Sequence, residues 1–170
     1  MQPASPSAAV TDAGSGPRHF DFHPNGKWAY LMEEMAGAVV AYDYKAGKLS
    51  QKQHIAAHPD TLTSPPGSAD IHVSPDGKFL YASNRGAENN IAIFKIDQTT
   101  GKLTAVGYQS TLGAIPRNFC IEPSGNYLLA ANQETNNVVI FKRDAKTGLL
   151  TATGEQISIP KPVCLKMVKF

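Results

Sequence analysis

Charge of one sign, cysteine and long apolar runs are all scarce in this chain of 170 residues. Sixteen Lys and Arg residues are balanced by fourteen Asp and Glu residues, so the formal net charge is only +2. No run of five or more like charges occurs. A protein that follows a phosphate backbone carries a clustered basic surplus. We therefore expect no nucleic-acid partner.

No stretch of the sequence is long and apolar enough for a membrane-spanning helix, and the first fifteen residues lack the basic start and apolar run of a secretion signal. We expect no membrane partner and, by default, a cytoplasmic location. The two cysteines, Cys120 and Cys164, each lie in an apolar run typical of a strand. This setting predicts buried thiols in preference to a disulfide.

What the chain does contain is a repeat. A Pro-x-Gly turn followed by an apolar strand begins at Pro24, Pro75 and Pro123, at intervals of 51 and 48 residues. A second marker, Gly-Lys-Leu or Gly-Leu-Leu after a short polar turn, keeps the same phase at Gly47, Gly101 and Gly148. One repeating unit is therefore close to fifty residues long.

Each unit reads as four short strands separated by tight turns. In the middle unit, alternating apolar residues predict strands over 69–73, 79–84, 90–97 and 102–110, with almost no helix. Tandem four-stranded antiparallel units of this length are typical of β-propeller blades, with a β-sandwich as the alternative. We predict an all-β chain in which residues 1–15 are a disordered or linker-like segment and residues 16–170 are a partial propeller domain. This domain is predicted to contain blades over 16–57, 67–111 and 115–159 and a closing strand over 162–167.

Three blades cannot close a ring. We therefore expect either a piece of a longer protein or an assembly in which the open blade edges associate with another chain.

Polar residues recur where the first strand of each blade begins and the second ends. If each Pro-x-Gly turn joins these two strands, both places lie at the same rim of the central channel. The residues predicted there are Arg18, His19, Glu34, Asn84, Arg85, Arg117, Asn118 and Asn132. Any one of them can equally be a hydrogen-bonding group at a strand end. Three arginines with one or two carboxylates, however, form a positive site that suits a small anion.

Two histidine observations are weaker. His72 follows the alternation of a first strand, so it either faces the channel or packs in the blade. His54 and His58 have the four-residue spacing of a helical metal site, but they lie in a Pro-rich connector where that spacing has no geometric meaning. We expect no metal at His54 and His58.

Several long motifs resemble one family. They include Gly16-Pro17-Arg18-His19-Phe20, Ile71-His72-Val73-Ser74-Pro75, Ala82-Ser83-Asn84-Arg85-Gly86 and Pro116-Arg117-Asn118-Phe119. Over residues 16–167 the chain is similar to the seven-bladed β-propeller lactonases, which include the cycloisomerase-type 6-phosphogluconolactonases and the carboxymuconate lactonizing enzymes.

The resemblance implies a fold, an activity and a set of site residues. The fold is part of a seven-bladed propeller, and the activity is hydrolysis of an anionic sugar lactone, chiefly 6-phosphogluconolactone, without a metal or organic cofactor. The catalytic residues implied are Arg18, Glu34 and Arg85. The substrate-binding residues expected around them are His19, His72, Asn84, Arg117, Asn118 and Asn132.

Two departures from the family pattern affect this expectation. Glu33-Glu34-Met35 stands where the family usually has Asn-Glu-Leu, which adds a negative charge to the rim. Family members also carry about four further blades, with an active-site histidine that has no counterpart here, so the site in this chain is expected to be incomplete. The alternatives are a muconate-type lactonizing enzyme, a non-catalytic binding scaffold, and a calcium-dependent lactonase that would use Glu34, Asn84 and Asn132 as ligands.

Overall fold

The computed structural model describes Pro6 and residues 8–168. In this part of the chain every regular element is a β-strand, and twelve strands form three four-stranded antiparallel sheets. The all-β propeller class is therefore confirmed. No helix in the described residues is long and apolar enough to span a bilayer.

Each sheet contains four strands that are consecutive in the chain, and the three sheets are termed blades 1, 2 and 3. Blade 1 comprises β1 (Pro17–Phe22), β2 (Trp28–Glu33), β3 (Ala38–Lys45) and β4 (Lys48–Ala56); blade 2 comprises β5 (Ser68–Val73), β6 (Phe79–Asn84), β7 (Asn90–Ile96) and β8 (Leu103–Ser110); blade 3 comprises β9 (Pro116–Ile121), β10 (Tyr127–Asn132), β11 (Asn137–Arg143) and β12 (Leu150–Ser158). The four strands predicted for the middle unit are confirmed to within one residue at each end.

The turns explain why these strands form hairpins. Gly26, Gly77 and Gly125 close the Pro-x-Gly turns with φ of 67°, 70° and 77°, a region that glycine enters without steric cost. Because each turn is tight, consecutive strands pair as antiparallel neighbours. The strand sequences then supply the alternation that buries one face of each blade against the next.

Two apolar clusters hold the blades together. Trp28, Tyr30 and Met32 of blade 1 pack against blade 2, and Phe79 and Tyr81 of blade 2 pack against blade 3. A tyrosine also crosses each interface: the hydroxyl of Tyr30 donates to the Gly101 carbonyl at 2.9 Å, and that of Tyr81 donates to the Gly148 carbonyl at 2.8 Å. The repeat in the sequence is therefore a repeat of blade-to-blade contacts.

A buried cation adds to the second interface. The guanidinium of Arg143 in blade 3 lies 2.5 Å from the Asp76 carboxylate, and it also donates to Tyr81 Oη at 3.2 Å and to the Gly125 carbonyl at 3.1 Å. A charged side chain is stable in such a position when its donors are satisfied. Asp76 lies in the turn between β5 and β6, at the opposite end of the blade from the predicted rim.

The segment after β12 differs from the prediction. Residues 162–168 form no strand, so the closing strand predicted over 162–167 is wrong as a strand. The segment nevertheless lies beside β9, where the Leu165 amide donates to Asn118 Oδ1 at 2.6 Å. A strand needs a second strand for its ladder, and no strand among the described residues pairs with this segment. For the same reason Cys164 is exposed, against the prediction, whereas Cys120 is buried as predicted.

The N-terminal segment is also ordered further than predicted. Ser15 is buried, and its carbonyl accepts hydrogen bonds from the amides of Met35 and Ala36 at 3.0 Å each. The linker-like region predicted over 1–15 therefore does not reach Ser15. The same prediction for residues 1–5 and 7 lies outside the described residues.

Candidate active site

The polar rim of the channel is built by an irregularity that recurs in all three blades. The ladder between the first and second strands shifts register at residues 18–19 of β1, at 69–70 of β5 and at Arg117 of β9. A β-bulge leaves the extra residue unpaired and turns its side chain away from the regular alternation. This local geometry directs Arg18 and Arg117, which the repeat placed at equivalent positions, toward the rim.

Glu34 links two of the predicted catalytic residues. Its Oε2 atom lies 3.1 Å from Arg18 Nε, and its Oε1 atom forms a close ion pair with Arg85 Nη2. Backbone carbonyls support both guanidinium groups: Arg18 Nη1 donates to Ala69 at 2.7 Å, and Arg85 donates to Gly67 and Ser68 at 3.1 Å. The three residues come from two blades, and the structure brings them together.

Arg117 of blade 3 contributes to the same electrostatic field. Burial lowers the pKa of Arg18, the positive charges of Arg85 and Arg117 lower it further, and Glu34 partly offsets the effect. A guanidinium stays protonated despite such a shift, so three cations share the rim with one bridging carboxylate. This arrangement repels further cations and attracts an anion.

Several guanidinium N–H groups remain available at this site. Among the described residues, Arg18 Nη2, Arg85 Nη1 and the Arg117 side chain donate no hydrogen bond. Each free terminal nitrogen offers two N–H donors in the plane of its guanidinium. Such donors bind carboxylate or phosphate oxygens, or an oxyanion that forms on a carbonyl.

Below the rim, the carboxylate of Asp70 joins three of the predicted substrate-binding residues. Asp70 Oδ1 lies 2.6 Å from His19 Nδ1, and Oδ2 lies 3.1 Å from His72 Nε2 and 2.5 Å from Asn118 Nδ2. His19, Asp70 and Asn118 are all five residues before a turn proline. The sequence-based prediction included His19 and Asn118 but not Asp70, although all three occupy this one position of the repeat.

His72 is part of the channel wall. Its ring stacks edge-on against Phe119 at 4.9 Å between centroids, and its side chain is 37% exposed. Burial alone would lower the pKa of His72, but the hydrogen bond and the negative charge of Asp70, together with Asp21, leave it raised. This partial exposure favours the channel over packing within the blade, and substrate binding by His72 stays a prediction.

The acid stability of the protein should depend on Asp70. Burial alone would raise the pKa of Asp70, but hydrogen bonds from His72, His19 and the Phe119 amide hold it at about 2, against 3.8 for the free group. A depressed pKa adds stability that is fully present above the unfolded value and is lost as the pH falls through the folded value. We expect this contribution to be about 2 kcal/mol.

Urea unfolding of the protein and of Asp70→Asn over a pH series tests this expectation. The difference between their free energies of unfolding should shrink by about 2 kcal/mol between about pH 4 and about pH 2, because protonation removes the anionic partner from the unsubstituted protein. A difference that stays constant over this range would contradict the assignment of the low pKa to Asp70.

Two predicted site residues do not reach the channel. Asn84 and Asn132 are fully buried; Asn84 Nδ2 donates to the Ala57 carbonyl at 2.6 Å and to Asn90 Oδ1 at 2.9 Å, and Asn132 Nδ2 donates to the Thr111 carbonyl at 3.0 Å. The structure therefore does not bring these two predicted substrate-binding residues to the surface that a substrate could contact. Successive residues of a strand point to opposite faces, so Asn84 and Arg85 cannot share one environment.

The same position in blade 1 is Glu33, which is buried and hydrogen-bonded to His54 Nε2 at 2.9 Å. The buried placement of Asn84 and Asn132 also weakens the calcium alternative, because these oxygen donors do not converge with Glu34. No group of three or more His, Cys, Asp or Glu side chains in residues 8–168 is arranged to hold a metal ion.

The connector histidines have separate structural roles. His54 lies in β4, not in the connector as predicted. His58 is buried; its Nδ1 atom is bonded to Glu88, and its Nε2 atom lies 3.0 Å from Ser68 Oγ. The carbonyl of Ser68 accepts a hydrogen bond from Arg85. The contact between His58 and Ser68 therefore helps to fix the start of β5, which supports Arg85 at the rim.

Comparison with known proteins gives consistent matches. Residues 2–167 match the family described as lactonase, 7-bladed β-propeller. The 6-phosphogluconolactonase of Bacillus subtilis is 43% identical over 157 residues, which is 91% of this chain and 45% of that protein. The 6-phosphogluconolactonase of Formosa agariphila is 52% identical over 121 residues, 71% of this chain and 34% of that protein.

Solved structures match equally well. The periplasmic gluconolactonase of Pseudomonas aeruginosa superimposes with a TM-score of 0.93 at 34% identity, over 99% of this chain and 47% of that one. A Bacteroides fragilis protein provisionally assigned as a 6-phosphogluconolactonase has a TM-score of 0.93 at 50% identity, over 99% of this chain and 46% of that one. The chain thus spans about half the length of the proteins it matches.

Proposed function

Because the chain belongs to the seven-bladed β-propeller lactonase family, we propose that it hydrolyses an anionic sugar lactone, chiefly 6-phosphogluconolactone to 6-phosphogluconate. The matched relatives from B. subtilis and F. agariphila carry that name.

One observation carries the proposal. Glu34 holds Arg18 and Arg85 side by side at the rim, while a terminal nitrogen of each guanidinium donates no hydrogen bond to the described residues. Hydrolysis of an anionic lactone requires groups that bind its anionic substituent and hydrogen-bond donors for the oxyanion that forms on the carbonyl. Two preorganised guanidinium groups and the neighbouring Arg117 supply both.

The geometry supports the following reaction. A water molecule attacks the lactone carbonyl carbon, and Arg18 Nη2 stabilises the negative charge that forms on the carbonyl oxygen. The ring C–O bond then breaks, and the products are a carboxylate, a hydroxyl group and a proton. Arg85 Nη1 and Arg117 bind the phosphate of the substrate. Glu34, whose carboxylate is 31% exposed, accepts the proton of the attacking water, unless a base from outside this chain takes that role.

Hydrolysis measurements test the proposal. The chain should accelerate the conversion of 6-phosphogluconolactone, generated in situ, above its spontaneous rate, and should act more slowly on unphosphorylated gluconolactone. In Arg85→Met, KM for the phosphorylated lactone should rise about tenfold or more, because a charge-assisted hydrogen bond to phosphate is lost. KM for gluconolactone should hardly change, and this second substrate serves as the control.

The alternatives predict different results. A binding scaffold would bind 6-phosphogluconate in a calorimetric titration without accelerating hydrolysis. A muconate-type enzyme would act on a muconolactone in preference to the sugar lactone. Absence of hydrolysis would reject the proposed function, whether or not 6-phosphogluconate binds.

A further inference from the structure

The most highly coordinated polar group near the rim is a carboxylate that the proposed reaction does not use. The Asp70 side chain is only 3% exposed and lies at the register shift of β5. Besides His19, His72 and Asn118, it accepts hydrogen bonds from the amide of Ile71 at 2.9 Å and from that of Phe119 at 3.1 Å. Five donors from the first strands of three blades therefore converge on one carboxylate.

This arrangement determines the tautomer of His19. An ionised carboxylate only accepts hydrogen bonds, so the proton of His19 lies on Nδ1, which is 2.6 Å from Asp70 Oδ1. The Nε2 atom of the neutral ring is then an acceptor. It lies 3.3 Å from Arg18 Nη1, which can only donate.

Arg18 is thus held by residues that depend on Asp70. Its Nη1 atom donates to His19 Nε2 and to the carbonyl of Ala69, the residue before Asp70. Its Nε atom is paired with Glu34. These contacts occupy Nε and Nη1 and leave Nη2, the atom assigned to the oxyanion, as the nitrogen presented to a substrate.

We propose that Asp70 is a positioning residue: by fixing the tautomer and ring orientation of His19, it holds the Arg18 guanidinium so that Nη2 meets the developing oxyanion. The inference rests on the proposed function and adds to it a residue that does not itself touch the substrate. Loss of a carboxylate that fixes the tautomer and orientation of a histidine lowers kcat even though the carboxylate does not touch the substrate. Misplacement of a catalytic group by about 1 Å can lower turnover by about a hundredfold.

Asp70→Asn separates positioning from mere stabilisation, with Asp76→Asn as the matched control. Both changes replace a carboxylate of blade 2 with its amide and weaken a contact between blades 2 and 3, but Asp76 is paired with Arg143 at the far end of the blade. We expect kcat of Asp70→Asn to fall about tenfold or more with KM within about threefold. Asp76→Asn should lower thermal stability and leave kcat unchanged.

The tautomer of His19 is a readout that a purely structural role would not change. Long-range proton–nitrogen correlation spectra at mildly alkaline pH, where a free imidazole is neutral, should show His19 protonated on Nδ1 in the unsubstituted protein. In Asp70→Asn the Nε2-protonated form should appear. If Asp70 acts through His19, the double variant His19→Asn with Asp70→Asn should be no slower than His19→Asn alone.

The possible results distinguish a failure of the positioning role of Asp70 from a failure of the proposed lactone hydrolysis. Unchanged kcat in Asp70→Asn, or a His19 ring that keeps its Nδ1 proton there, overturns the positioning role. If the unsubstituted protein does not hydrolyse lactone, the proposed function fails, and the spectra alone still decide whether Asp70 orients His19. If Asp70→Asn does not fold, His19→Asn leaves the carboxylate in place and should show the same loss of kcat; an unimpaired His19→Asn would refute the inference.

Discussion

Replacing Arg18 with methionine should lower the turnover of 6-phosphogluconolactone by about a hundredfold or more. Methionine keeps much of the volume of the side chain and removes the guanidinium whose free Nη2 lies at the rim. Loss of one preorganised donor to an oxyanion raises the barrier by about 3 kcal/mol. Because the interaction forms with the transition state, kcat should fall much more than KM rises.

The control for this prediction is Lys146→Met. Lys146 is exposed in the turn between β11 and β12, at the end of blade 3 that lies away from the rim, so its loss removes one positive charge without affecting the site. Steady-state kinetics of both variants should show a large effect only for Arg18→Met. An equal turnover for Arg18→Met and the unsubstituted protein would exclude Arg18 from oxyanion stabilisation.

The second large effect is expected on stability, in Gly101→Ala. Gly101 has a φ of 70°, and a Cβ added there would lie 2.4 to 2.7 Å from ring atoms of Trp28, a core residue of blade 1. The added methyl must move the indole or separate blades 1 and 2, where Tyr30 also binds the Gly101 carbonyl. Overpacking and the positive φ together should lower the free energy of unfolding by about 3 kcal/mol.

Gly47→Ala provides a matched control, because Gly47 occupies the same turn of blade 1. Its φ is 79°, and a Cβ there would meet no atom within 4 Å. This variant should lose only about 1 kcal/mol, the conformational cost of alanine at positive φ. Urea unfolding with unchanged m-values should give both losses. Equal losses in the two variants would show that the contact between Gly101 and Trp28 does not limit stability.

The contrast between Gly101 and Gly47 also shows which features of the fold the sequence could predict. The repeat, the Pro-x-Gly turns and the alternation of the strands are local signals, because turn geometry and strand pleat depend on neighbouring residues. They determined the four-stranded units and the rim at which Arg18, Glu34 and Arg85 meet. Nothing local distinguishes Gly101 from Gly47; only the blade packed against Gly101 does.

The sequence predictions that the structure did not match also depended on contacts between distant parts of the chain. Asn84 was expected in the channel and is buried beside Arg85, because a choice between two consecutive residues depends on which face of the strand the register shift presents to the channel. The closing strand over 162–167 did not form, because a strand depends on a partner for its ladder rather than on its own composition.

The sequence by itself thus determined the blades, their turns and the gathering of arginines at one rim. The tertiary structure decided which polar side chains point into the channel and which charge organises them. Asp70 shows the physical reason: His19 and Asn118, two of its partners, lie 51 and 48 residues away in the chain. The repeat marks the position that these three residues share, but the hydrogen bonds between them form only when the blades pack.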